Sequence, residues 1–268
     1  MCWLSWVPRP EARRKVCRMR VLLTGGNGTV APKFTAVANA AGHQIIGWDR
    51  ELVDPSDRAA VDWFLGQTNP DAIVHMAFGA ESWAGQLAGY AGHRDVPFVF
   101  TSTTMVFDER PDGPYTISSP RTSTNDYGRY KIRCEDDIWN ANAGAMIARL
   151  GYQIDPDGLG NNMVAHADAH NEKVGFIRAS TIWLPSCSFM VDTAAALLDL
   201  IERPERGLHH LDSNAHAALS YYEIVTRLSH LLGRNWTIEA AEFPDHDQRL
   251  IDSVRITPIE RRLPPADV

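Results

Sequence analysis

Residues 20–31 read RVLLTGGNGTVA, and the order of apolar run, glycine turn and small residue in that stretch decides the fold. Arg20 to Thr24 has strand character, and the chain from Ala31 to about Gly42 reads as a helix. The turn between them has the form G-x-x-G-x-x-A, with Gly25, Gly28 and Ala31. A strand-to-helix turn needs glycine where φ must be positive and where the backbone must approach a phosphate closely. Ala31 is small enough to let the helix pack against the strand. Amides at the helix N-terminus then face a pyrophosphate, aided by the helix dipole. Gly25, Asn27, Gly28, Thr29 and Val30 are therefore the candidate pyrophosphate contacts. The second strand, QIIGW (44–48), runs into Asp49 and Arg50, near the spacing of about 20 residues expected for the group that meets the adenosine ribose. Asp49 would accept from a free 2′-hydroxyl, as in NAD, and Arg50 would neutralise a 2′-phosphate, as in NADP. The pair leaves the choice open, with a lean to NADP.

Outward from this turn the chain alternates short apolar strands with helical segments, the pattern of a parallel sheet with crossovers. DRAAVDWFLGQ (57–67) places Val61, Phe64 and Leu65 on one side of a helix, and DAIVHMA (71–77) reads as the third strand. A short Ala- and Gly-rich helix around SWAGQLAGYAG leads to PFVFTST (97–103), the fourth strand, and AMIARL (145–150) is the fifth. The expected class is α/β, a Rossmann-type doubly wound parallel sheet with a smaller C-terminal substrate-binding region. Past Gly151 the rhythm changes: DPDGLGNN is loop, GFIRASTIWLP holds one or two short strands, DTAAALLDLIER (192–203) is a helix, GLHHLDS a strand and YYEIVTRLSHLLG a helix. The expected organisation is a dinucleotide-binding domain over 19–150, with 192–213 returning to it, and a substrate-binding region from 151–191 and 214–268. Residues 1–18, MCWLSWVPRPEARRKVCR, read as a disordered extension or as sequence ahead of a start at Met19, rather than as a docking arm.

A formal charge of -7 argues against a nucleic-acid partner, whose phosphates need Lys and Arg. No apolar run approaches the roughly 18 to 20 residues that span a bilayer, so no membrane partner is expected. Cys2, Cys17, Cys134 and Cys187 form no C-x-x-C pair, and the ten histidines show no helical ligand spacing, so no metal is expected. A reducing cytoplasm suits such thiols. The oligomeric state is left open, with a homodimer included.

DYGRYK (126–131) sets Tyr127 and Lys131 four apart on one helix face, whereas Tyr130 has Cys134 at that offset. A phenol of pKa about 10 is a poor acid or base at neutral pH, and a nearby ammonium lowers it. Bringing it near 7 asks for about 4 kcal/mol, which a lysine and an oxidised nicotinamide would supply together. At the end of the fourth strand, TSTTMVFD (101–108) offers the hydroxyls of Ser102, Thr103 and Thr104, where open α/β sheets bind ligands. Asn161, Asn162, Trp183 and Arg149 are candidate pocket-lining residues.

Taken in order, TGGNGTVA, WDRELVDPSD, VHMA, STTMVFD, DYGRYK and DQRLIDSVR resemble the extended short-chain dehydrogenase/reductases, and within them the dTDP-4-dehydrorhamnose reductase group, from Met19 to the C-terminus. The resemblance implies NADP or NAD as cofactor and a nucleotide sugar as substrate, with hydride transfer to a keto carbon. It implies Thr103, Tyr127 and Lys131 as the catalytic set, with Tyr127 as proton donor and Lys131 also holding the nicotinamide ribose. It sets Asp54 near adenine, Met76 and Ala77 beside the cofactor, and Tyr152 facing the sugar. Departures fall on the substrate side. The group's STDY is Ser102-Thr103-Thr104-Met105 here, the stretch between the third and fourth strands is short, and WLPSCSF (183–189) stands where the group has D-Q-x-G-x-P. Thr104 and Met105 are thereby candidate substrate contacts. A non-catalytic NAD(P)-binding regulatory protein and a nucleotide-sugar epimerase are the alternatives.

Overall fold

The structure, a computed structural model, describes residues 18–108, 112–158 and 160–264. Residues 1–17 of the expected extension lie outside the described residues. The first half alternates strand and helix: β1 (Arg20–Thr24), α1 (Ala31–Ala40), β2 (Gln44–Gly47), α2 (Arg58–Thr68), β3 (Ala72–His75), α3 (Glu81–Arg94) and β4 (Phe98–Thr103). A single 3-10 turn (Thr104–Val106) and a long connection lead to α4 (Asp126–Ala141) and β5 (Met146–Leu150). Local chemistry sets several of these bounds. Asp57 caps α2 by accepting from the amides of Ala59 and Ala60, and the helix stops on Asn69 in the left-handed region. Asn125 caps α4 by accepting from the Gly128 amide.

The second half interleaves with the first: β6 (Tyr152–Ile154), α5 (Met163–Val174), β7 (Ile177–Ser180), β8 (Cys187–Phe189), α6 (Met190–Glu202), β9 (Gly207–Leu211), α7 (Tyr221–Leu231) and β10 (Ile238–Ala241). β6, α5, β8 and β10 were not expected from the sequence. The helix α5 is started by buried Asn162, whose side chain accepts from the amides of Val164 and Ala165, and is stopped by Gly175 at φ 90.

The main sheet has the order β2-β1-β3-β4-β5-β9. Every pairing in it is parallel. The chain leaves β1 towards β2 on one side and returns to β3 on the other, so the order reverses between β1 and β3. That reversal opens a crevice beyond the carboxyl ends of the strands. One face of the sheet is covered by α1 and α6, whose Phe34, Leu197 and Ile201 pack on Val21, Leu23 and Val99. The other carries α2, α3 and α4, with Leu65, Trp83, Leu87 and Ile138 against Leu22, Ile73 and Phe100. A separate apolar cluster joins Ile154, Val164, Phe189, Ile224 and Leu228 of the C-terminal elements. Two short parallel pairs, β6 with β8 and β7 with β10, frame that cluster.

Gly128 shows how closely α4 is pressed onto the end of β4. A Cβ there would lie 2.0 Å from the Met105 carbonyl oxygen and 2.1 Å from Ser123 Oγ. Gly66, in α2, has nothing within 4 Å of the same position. Glycine inside a helix costs roughly 1 kcal/mol relative to alanine, so the two sites should respond with opposite sign. Gly66→Ala is expected to raise stability by about 0.5–1 kcal/mol, and Gly128→Ala to lower it by about 2–3 kcal/mol, both read as shifts in a urea unfolding midpoint.

Candidate active site

The floor of the crevice is built where β1 and β3 end. Gly25 has φ +74, and a Cβ on it would lie 2.8 Å from the Ala77 amide nitrogen and 2.9 Å from the Met76 carbonyl carbon. Both the conformation and the close passage over β3 require glycine. Thr24 locks the same junction. Its Oγ1 accepts from the Met76 and Ala77 amides at 3.2 Å and lies 2.7 Å from His75 Nδ1. With its acceptor capacity used by two amides, the hydroxyl donates to Nδ1, which leaves the His75 proton on Nε2. Burial lowers the His75 pKa to about 3, with the Lys131 and Arg50 charges adding to the effect, so the ring is neutral and serves as floor. Gly28 closes the turn through its amide on the Gly25 carbonyl at 2.8 Å. The start of α1 carries no side-chain cap and no acidic residue in its first turn, so no carboxylate there competes for an anion. That donor set fits a pyrophosphate.

The opposite wall is α4. Lys131 is buried, and its Nζ donates to the Thr101 carbonyl at 2.8 Å while lying 4.4 Å above the Phe100 ring. Its distance to the Tyr127 ring centre is 5.9 Å. Burial lowers the Lys131 pKa to about 8, opposed by the Cys134 and Glu135 side chains. Tyr127 is 42% exposed, yet partial desolvation of its phenol and the Cys134 side chain shift it the other way, above its ordinary value. This corrects the expectation of a lowered phenol pKa. The ammonium is committed to a backbone carbonyl and does not pull the phenol down. Tyr127 is thus a neutral phenol, a donor in waiting.

Three hydroxyls stand at the end of β4, and the structure separates them. Ser102 Oγ donates to Glu135 Oε1 at 2.6 Å, and Thr104 Oγ1 donates to the Gln248 carbonyl at 3.4 Å. Thr103 Oγ1 accepts from the Met105 amide at 3.2 Å, which leaves its hydrogen free to donate. One cleft is lined by Gly25, Gly28, Thr29 and Val30 of the turn, Met76 past β3, Thr103, Tyr127, Lys131, Tyr152 and Asn161. Of the residues proposed from the sequence, these ten and Ser102 are brought together. Tyr152 also bonds through its hydroxyl to His166 Nδ1.

The others stand elsewhere. Asn27 is exposed on the turn but does not line the cleft. The Asp49 carboxylate accepts from the Glu51 amide, and the Arg50 guanidinium lies 5.6 Å from the Trp83 ring centre and donates to the Phe78 carbonyl. Asp54 accepts from the amide and hydroxyl of Ser56, which lower its pKa. Ala77 is buried and contributes its amide to Thr24. Five residues expected on the substrate side lie outside this cleft. Thr104 is buried and spent on Gln248. Met105 faces a neighbouring chamber with Phe107, Asn125 and His246. Asn162 is wholly buried as the cap of α5. Trp183 packs on Tyr221 and His246 at ring distances of 5.0 and 6.3 Å. Arg149 is buried in a two-bond pair with Glu135. Sequence reading missed Gln153, which lines the cleft with its amide donating to the Gly151 carbonyl, because nothing in its local pattern marks it. Among the described residues no group of three or more His, Cys, Asp or Glu could hold a metal.

Most of the chain is similar to known proteins. The family model described as the RmlD substrate binding domain matches residues 19–82 and 79–254. The "Probable low-salt glycan biosynthesis reductase Agl14" of Haloferax volcanii is 25% identical over 263 residues, covering 86% of each chain. A dTDP-4-dehydrorhamnose reductase of Sinorhizobium fredii is 25% identical over 263 residues, covering 88% of each. Among solved structures, a dTDP-4-dehydrorhamnose reductase of Bacillus anthracis in complex with NADP superposes with a TM-score of 0.75 at 17% identity, over 92% of this chain and 98% of the other.

The buried ammonium leaves a mark on stability. Folding lowers the Lys131 pKa from 10.5 to about 8, so between those values the unfolded chain binds more protons than the folded one. Folded-state stability from this group therefore rises with pH through that window, by up to about 3 kcal/mol. Relative to Lys131→Met, the wild type is expected to gain stability between pH 8 and 10, measured by urea unfolding at each pH. Parallel curves for the two proteins would contradict the burial of the charge.

Proposed function

Because the chain belongs to the RmlD substrate binding domain family, we propose that it is an NAD(P)H-dependent oxidoreductase that reduces a keto group of a nucleotide sugar or a related polar carbonyl compound. The observation that carries the reading is the meeting of the glycine turn, Thr103, Tyr127 and Lys131 in one cleft at the reversal point of the sheet. The names of the curated relatives, both reductases and one a dTDP-4-dehydrorhamnose reductase, support the substrate class.

When bound, the nicotinamide supplies the hydride. The chain's own residues do the rest. The turn at Gly25 and Gly28 and the uncapped start of α1 would hold the pyrophosphate, and Lys131 would hold the nicotinamide ribose. Thr103 donates its free hydrogen to the substrate carbonyl and fixes it beside Tyr127. As the carbonyl carbon gains the hydride, its oxygen becomes an alkoxide and takes the phenolic proton of Tyr127. The resulting phenolate, next to the Lys131 ammonium, is reprotonated from solvent. A neutral phenol suits this direction, because the reaction needs a donor at the start.

The reading extends to the layout. Residues 19–150 with 192–213 would bind the cofactor, and 151–191 with 214–268 the substrate. It is supported by α6 and β9 packing onto the main sheet while α5, α7 and the two short strand pairs enclose a cluster of their own. Among the described residues no helix is long and apolar enough to cross a membrane. Free, buried Cys134 and Cys187 support a reducing cytoplasm.

The decisive experiment mixes the protein with NADPH or NADH and a panel of 4-keto nucleotide sugars and follows cofactor absorbance. Turnover is expected with at least one substrate, and Tyr127→Phe should lower kcat by about a thousandfold while the NADPH Kd stays within about twofold. Tight cofactor binding without turnover across the panel would favour a non-catalytic binding protein. Arg50→Ala should weaken NADPH by about tenfold and leave NADH unchanged in a fluorescence titration, if its guanidinium meets the 2′-phosphate.

A further inference from the structure

Along the face of α4 that meets the sheet, Tyr127 and Lys131 are followed at the next turn by Glu135, which the proposed chemistry does not use. It is a carboxylate in the protein interior, 1% exposed. Its Oε1 accepts from Ser102 Oγ at 2.6 Å and Arg149 Nε at 3.0 Å, and its Oε2 accepts from Arg149 at 2.7 Å and from Arg121 at 3.2 Å. Ser102 lies on β4 between Thr101, which receives the Lys131 ammonium, and Thr103. Arg149 lies on β5, paired in register with Ser102. A carboxylate with four donors reaching it from two adjacent strands and the loop before α4 is a geometric tie between helix and sheet. A hydrophobic contact would hold the helix as well in energy, but less exactingly in height and rotation.

We propose that Glu135 is a positioning residue for the reaction: bridged to Ser102 and Arg149, it sets the height of α4 on the sheet and supplies the negative charge that keeps Lys131 an ammonium beside Tyr127. This rests on the reading that Lys131 holds the bound cofactor. The charges around Lys131 leave the task to Glu135. On α4 itself, Tyr127 and Tyr130 are phenols held above their usual pKa, and the Cys134 thiol is raised by burial, so all three are neutral at pH 7. Across from it, β4 contributes Phe100 and Thr101, without charge. β3 contributes His75, whose pKa of about 3 keeps it neutral. Arg50 past β2, Arg149 on β5 and Arg121 before α4 are cations, and the last two are paired with Glu135 itself. Glu135 stands four residues along α4 from Lys131, buried on the same helix face, and is the carboxylate that acts, after Cys134, to raise the Lys131 pKa.

The test reads NADPH affinity against pH by fluorescence, which needs no substrate. In the wild type, affinity should fall above about pH 8 as Lys131 loses its proton. Lys131→Met should abolish that pH dependence. If it does not, the role given to Lys131 fails, whatever Glu135 does. With that control satisfied, Glu135→Gln should move the fall to lower pH by at least about half a unit, and an unmoved midpoint would overturn the inference. Glu135→Asp keeps the charge and shortens the tie. It should leave the midpoint in place and lower kcat about tenfold or more on a turned-over substrate, and wild-type kcat in that variant would equally overturn the positioning role. Should Glu135→Gln not fold, Glu135→Asp alone decides, since full activity refutes the inference and a lowered kcat with an unchanged midpoint supports it.

Discussion

An ammonium set in the interior, hydrogen-bonded to a strand carbonyl, is the contact on which the site depends. Thr101 lies one residue past the last pair of the β3–β4 ladder, which ends at His75 and Phe100. Its carbonyl is taken by Lys131 instead. Burying a charge is costly unless it is hydrogen-bonded and paired. Here the charge has one carbonyl, the face of Phe100, and more distant rings of Tyr127 and Tyr130. The cost shows in a pKa of about 8. A lysine used only for packing or solubility would extend to solvent, so the arrangement holds stability back in exchange for a fixed cation at the sheet reversal point. Gly128 makes it reachable, because any side chain there would lift the first turn of α4 off the Met105 carbonyl.

The glycine turn and the tyrosine-lysine pair were legible because each is local. Gly25 must be glycine for a reason contained within one turn and the strand end beneath it, and the i, i+4 offset puts Tyr127 and Lys131 on one face whatever the rest of the chain does. The order β1, α1, β2 followed from apolar runs of strand length separated by a helix of the right period. What stayed hidden depends on pairing across the chain. Glu135 reads as one of several acids on a polar helix, and only the fold sets it against Ser102 and Arg149, thirty-three and fourteen residues away. Asn162 and Arg149 were drawn towards the pocket by their polarity. In the fold, one satisfies helix-start amides and the other a buried carboxylate. The helix α5 escaped notice because its sequence, MVAHADAHNEKV, carries little apolar periodicity and is defined by its cap and its terminal glycine.

The C-terminal elements are fastened by a second buried carboxylate. Asp212, just past β9, accepts from the amides of Cys187, Asn214 and Leu250 at 2.8–3.0 Å. Burial pushes its pKa up to about 7 while those amides and Ser186 pull it down. One side chain thus joins the start of β8, the loop after β9 and the late segment around Leu250. β8 pairs with β6, which begins at the cleft residue Tyr152. Gly151, immediately before it, would place a Cβ 2.2 Å from Ser186 Oγ, so the cleft wall and the segment anchored by Asp212 are in van der Waals contact. The substrate side of the cleft is therefore positioned from the far end of the chain, and no short motif could announce it.

Desolvation acts on both members of the tyrosine-lysine pair, fully on buried Lys131 and in part on half-exposed Tyr127, and it acts in opposite directions on their proton affinities. It disfavours the charged form in each case, which raises the phenol and lowers the ammonium. The local reading of the sequence expected the lysine to pull the tyrosine towards neutrality of pH. Instead the tyrosine is the group that holds its proton, and the lysine is the group at risk of losing its own. A reductase can work with that order. Its phenol needs only to be protonated when the alkoxide forms, and the stabilisation that matters is of the phenolate left afterwards, which an ammonium at this distance provides in the transition state rather than before it. The alkaline boundary of such a site is then set by the lysine, not the tyrosine, and by whatever negative charge the helix keeps beside it.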